Sequence, residues 1–100
     1  MKAVVREAME EGAWGLSTGL DYPPGSYADT AELAALSEVV ASLGGFYHTH
    51  TRSDLKSQGL LAPWKEAIDI GRRSGCPVHL THYRQSFQGD GSHLDYIRLV

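Results

Sequence analysis

Three short β-type runs, each set off by a helix-patterned segment, constrain this chain more than any other feature. They fall at residues 13–17, 46–51 and 78–82, and the equivalent positions Leu16, Tyr47 and Leu80 lie 31 and 33 residues apart. That rhythm is close to the roughly 30 residues or more of a strand–helix–strand unit. Strands separated by whole helices cannot pair as hairpins. They must run parallel, with the helices as crossovers packed on the sheet.

The helical segments carry their own punctuation. Residues 2–11 place Val4, Val5, Ala8 and Met9 on one side, and Gly12 stands where a left-handed cap belongs. The paired Pro23 and Pro24, between Gly19 and Gly25, make residues 18–27 a shaped loop. Asp29 with Glu32 three residues on reads as a capping box for a second helix, whose apolar stripe is Leu33, Leu36, Val40 and Leu43. Gly44-Gly45 ends it. Residues 53–61 read as a polar loop, and Pro63 suits the first turn of a third helix with Trp64, Ala67, Ile68 and Gly71 facing inward. Ser74-Gly75 stops that helix, residues 85–91 read as a loop, and Ser92 with Asp95 predicts a fourth helix. Trp14 and Trp64 are expected in the core, and Cys76, before the third strand, is expected to be structural.

The fold class this predicts is α/β. Polar and ionisable residues gather after successive strands: Ser17 and Thr18, then His50 and Arg52, then His82 and Arg84. Such clustering on one rim favours a (β/α)8 TIM-type barrel over an open doubly wound sheet. A barrel needs about 250 residues, so three strands are a fragment of one, with open edges and an unfilled interior. The chain opens inside one helical pattern and stops inside another, which carries the same expectation. Such a piece is expected to be inactive alone.

A formal charge of −3 with scattered basic residues excludes the clustered basic face of a nucleic-acid binder. No apolar run reaches the eighteen or so residues of a membrane span, and no signal-peptide core follows Met1. The lone Cys76 gives no disulfide framework, so a cytoplasmic setting is the expectation.

His48 and His50 are two apart on a strand and share a face. They read either as a metal-binding pair or as one rim histidine with another packed beneath it. His79 and His82 are three apart and should face opposite ways, so only one enters the site. His82, at the strand end, is the expected ligand, leaving His79 packed among helices or hydrogen-bonded. His93 falls in a polar stretch. Arg52 and Arg84 are candidates to grip a carboxylate in bidentate fashion, or to pair with loop acids such as Asp54 or Asp90. Tyr22 and Tyr27 either line a pocket or staple the loop.

The run from Glu7 to Leu20 (EAMEEGAWGLSTGL), followed by Tyr22-Pro23-Pro24-Gly25 and Tyr27-Ala28, resembles the central signature of N-acyl-D-amino-acid deacylases (D-aminoacylases), in the amidohydrolase superfamily. Tyr47-x-Thr49-His50-x-Arg52 and Val78-His79-Leu80-Thr81-His82 resemble that family's next two strand ends. The resemblance implies a zinc-dependent hydrolase on a (β/α)8 barrel, removing the acyl group from a small N-acyl-D-amino acid. Residues 1–100 would then be a partial catalytic barrel holding strands three to five, with the rest of the barrel as partner. His82 would match the fifth-strand zinc ligand. His50 and Arg52 would match a fourth-strand catalytic pair, and Ser17, Tyr22 and Arg84 would contact substrate. Relatives commonly carry lysine where Arg84 stands, which keeps the charge but changes its geometry. One or two zinc ions are implied, with most ligands, including the first-strand histidine pair, and the general base outside these residues. A cyclic amide or imide hydrolase of the dihydroorotase type, or an inactive barrel piece, are the alternatives.

Overall fold

The computed structural model of the chain describes residues 1–59, 61–83 and 93–100. The helices are α1 (Lys2–Glu10), α2 (Thr30–Ser42), α3 (Ala62–Ser74) and α4 (His93–Leu99), and the strands are β1 (Gly15–Gly19), β2 (Phe46–His50) and β3 (Val78–Leu80). Arg84, the loop at 85–91 and Ser92 lie outside the described residues.

The punctuation works as the residue chemistry requires. Asp29, in extended backbone, accepts a 2.7 Å hydrogen bond on its carboxylate from the Glu32 N–H, supplying a partner for one of the donors a helix start leaves open. At the other end of α3, Gly75 takes the left-handed conformation at φ 70°, which costs a residue without a side chain nothing.

The three strands form one parallel sheet in the order β1-β2-β3. Sequential order without reversal, with right-handed crossovers, sets α2 and α3 on the same face. The core confirms that side: Leu33 and Val40 of α2 and Ile70 of α3 bury around Tyr47, with Leu16 and Val78 packed against them. Thr18 and Thr49 turn to this face too, with Thr18 Oγ1 2.7 Å from the Tyr47 hydroxyl and donating to Thr49 Oγ1 at 3.0 Å. The strands pair closely enough that a Cβ on Gly15 would collide with the Phe46 carbonyl oxygen.

The opposite face of the sheet bears Ser17, His48 and His79 in one register row. Phe46 is half-exposed there, and Trp14 lies 82% exposed just before β1. The core placement expected for Trp14 is therefore corrected, because that residue precedes the strand on its uncovered side; Trp64 is buried as expected.

Other boundaries shift. β1 starts at Gly15 and extends to Gly19, and β3 stops at Leu80, so Thr81 and His82 lie beyond the strand. Residues Ser53–Gln58 form a 3-10 helix, not a plain loop, and Gly25–Tyr27 form a shorter one. His93 belongs to α4 and not to a loop. Among the described residues no helix is long and apolar enough to cross a membrane.

Candidate active site

The carboxyl ends of the strands bring His50 and His82 together. His50 closes β2, while His82 follows β3 with φ at 57°, the left-handed region that non-glycine residues seldom occupy. Their rings meet edge to face, with centroids 5.5 Å apart. The two strand exits thus face one point, although the alternation expected along residues 78–82 fails. The strand ends at Leu80 and the backbone turns at His82, so His79 and His82 are not on opposite sides.

His79 is hydrogen-bonded, and not packed among helices. Its Nδ1 lies 2.6 Å from His48 Nδ1 on the open face. His48 is therefore the histidine beneath the rim, and His50 the one at it.

A carboxylate missed in the sequence completes the rim. Asp21 Oδ2 lies 3.1 Å from His50 Nε2, while its carboxylate accepts from the Ser53 N–H at 2.6 Å and the Ser53 hydroxyl at 2.8 Å. Burial alone would raise its pKa, but the two Ser53 hydrogen bonds and His50 outweigh that and hold it below the usual carboxylate value. Asp21 sits 29 positions from His50, so nothing local in the sequence marks it. The only signal was its place in the shaped Asp21-Tyr22-Pro23-Pro24-Gly25 loop.

Tyr22 is exposed and leans over the site, its ring 5.6 Å from that of His50. Tyr27 projects into solvent and neither lines the site nor staples the loop. Ser17 lies a layer below the rim, lining a groove of about 300 Å³ with Trp14, Gly15, Leu16, Phe46 and His48. Thr18 turns to the core and is no rim residue.

Arg52 is not free to grip a ligand with a two-pronged fork. Its Nε and Nη2 donate to the Glu66 carboxylate at 3.3 to 3.4 Å, Nη1 donates to the Ser26 carbonyl at 2.7 Å, and Nη2 donates to the Ala28 carbonyl at 2.5 Å. Arg52 is 13% exposed and Glu66 9%. The guanidinium thus joins the end of β2 to the loop before α2 and to α3, with Glu66 as its carboxylate partner among the described residues, while Asp90 lies outside them. Cys76 is buried at the opposite end of the sheet, where burial pushes its thiol pKa up.

Two imidazoles converging at a strand rim suit zinc in kind, since zinc favours nitrogen and sulfur donors. Among the described residues, no group of three or more histidine, cysteine or acidic side chains is set to hold a metal ion.

No protein-family model matches the chain. Over 84 residues it is 38% identical to N-acyl-D-glutamate deacylase of Alcaligenes xylosoxydans xylosoxydans, covering 84% of this chain and 17% of that protein. It is 36% identical over 84 residues to D-aminoacylase of the same organism, with the same coverage. A crystal structure of D-aminoacylase, described as defining a subset of amidohydrolases, superposes with TM-score 0.69 at 33% identity, over 79% of this chain and 16% of that one. N-acyl-D-glutamate deacylase from Bordetella bronchiseptica, complexed with zinc and a phosphonate mimic of the tetrahedral intermediate, gives TM-score 0.67 at 35% identity, covering 77% and 16%. Sequence and fold together place the chain among the amidohydrolases. Within them it is similar to the N-acyl-D-amino-acid deacylases, or D-aminoacylases, and it spans 17% of the length of the curated relatives it matches.

Proposed function

We propose that the chain holds the third to fifth strands of a (β/α)8 barrel in a zinc-dependent hydrolase that removes the acyl group from N-acyl-D-amino acids. The observation that carries this reading is the meeting of His50 and His82 at adjacent strand ends, in a chain matched by deacylases at 35–38% identity. All crossover helices on one face of a sequentially ordered sheet support the barrel. The uncovered row of Ser17, His48 and His79 is then its interior, completed by the rest of the barrel.

In this reading His82 and His50 would hold the metal, with its further ligands supplied by the rest of the protein. A bound zinc supplies a Lewis acid for the amide carbonyl and lowers the pKa of a water. Asp21 orients His50 through Nε2, as carboxylates commonly do for ligating histidines. Tyr22 screens the rim and offers a phenol to substrate, while Ser17 contributes a hydroxyl one layer down. Arg52 acts by bracing the β2 exit, and Arg84 is the cation this reading offers to the substrate carboxylate. The general base would be a carboxylate supplied by another part of the protein.

Amine release from N-acetyl-D-glutamate, N-acetyl-D-leucine, their L enantiomers and a cyclic imide tests the reading in the full-length protein. Zinc-dependent hydrolysis of the D substrates is expected. Turnover of the cyclic imide alone would transfer the chain to the related cyclic amide hydrolases, and no turnover of any would make it inert.

A further inference from the structure

His48 and His79 have no part in the chemistry above, yet they make the shortest side-chain link between adjacent strands on the open face. Their rings lie 4.7 Å apart at 42°, with Nδ1 facing Nδ1 at 2.6 Å. Only one proton fits between two such nitrogens, so one ring donates and the other accepts. On its far side, His48 Nε2 lies 2.7 Å from Thr81 Oγ1. The hydroxyl suits both outcomes. If His79 donates to His48, then His48 carries its proton on Nε2 and donates to Thr81. In the opposite case Thr81 donates to His48. The ring of His48 is pinned at both nitrogens in either arrangement.

Thr81 is where this matters. β3 ends at Leu80, and the Thr81 N–H donates to the Thr49 carbonyl at 3.2 Å, the last backbone tie among the described residues before the chain turns. The next residue, His82, holds a left-handed conformation that a side-chain-bearing residue adopts only at a cost. Such a conformation persists only where its surroundings impose it.

We propose that His48, braced by His79, is a positioning residue that grips Thr81 and so fixes the turn aiming His82 at His50. The inference rests on the metal-site reading above and deepens it. A ring braced from the neighbouring strand sets the separation of the two rim imidazoles without touching substrate or metal.

Zinc affinity of the full-length protein, measured by chelator competition, tests this. Thr81→Val, which keeps the shape and removes the hydroxyl, and His48→Ala should each weaken zinc binding about 10- to 100-fold, the usual effect of losing an outer partner of a ligand. Thr81→Ser should restore wild-type affinity, and the Thr81→Val/His48→Ala pair should lose no more than the worse single variant. Wild-type affinity in both single variants, equal loss in Thr81→Ser, or fully additive losses would overturn the proposal. His50→Ala and His82→Ala separate it from the reading beneath it. If both keep wild-type zinc affinity, the metal site itself is lost, and the His82 ring nitrogen shifts of the zinc-free protein then decide. A change in Thr81→Val but not Thr81→Ser supports the grip, and no change in either refutes it.

Discussion

Replacing Arg52 by methionine keeps most of the side chain's apolar stem and removes every hydrogen bond of its head. The loss comprises the paired contact to Glu66 and the bonds to the Ser26 and Ala28 carbonyls. Removing one partner of a buried ion pair costs about 3–5 kcal/mol, because the other charge stays buried and unpaired. With 13% and 9% exposure, some water reaches the pair, which places Arg52→Met near the lower figure, about 3 kcal/mol. The full-length protein should therefore melt several degrees lower. Adding Glu66→Gln should recover part of the loss, since the stranded carboxylate is then gone. Steady-state kinetics complete the test: losses for carboxylate-bearing and neutral amide substrates should be alike. An unchanged melting temperature, with KM raised only for carboxylate-bearing substrates, would refute the brace and restore Arg52 as a substrate clamp.

Tyr47 is fully buried and its pKa is raised chiefly by that burial, against the opposing hydrogen bonds of Thr18 and Thr49. A raised pKa means its stabilising contribution is complete below the unfolded value of about 10 and fades as pH climbs through the higher folded value. The melting temperature should fall above pH 10, and less steeply in Tyr47→Phe; identical alkaline slopes would contradict this. Gly15→Ala should destabilise by about 3 kcal/mol, at the upper end of ordinary single substitutions, because the new methyl meets the backbone oxygen of Phe46. A denaturation midpoint equal to wild type would show that β1 and β2 are less tightly paired than described.

What the sequence could disclose depended on how local the cause was. Asp29 caps α2 and Gly75 ends α3 because each acts within a turn of its own position. The parallel pairing of the strands followed from spacing, and the shared face of His48 and His50 from strand periodicity. The same periodicity misled at His82, because it holds only while the strand continues, and β3 ends two residues earlier. Trp14 was misplaced for another reason: apolar character cannot tell which face of a partial sheet is covered. Glu66 and Asp21, the partners of Arg52 and His50, stand 14 and 29 positions away, and only the packed fold brings them close.

Elemental analysis of the purified full-length protein and its His82→Ala variant addresses the metal site directly. Tightly held zinc in the first and its loss from the second, with the fold intact by circular dichroism, is the expected result. Equal zinc in both would mean that the imidazole after β3 holds no metal.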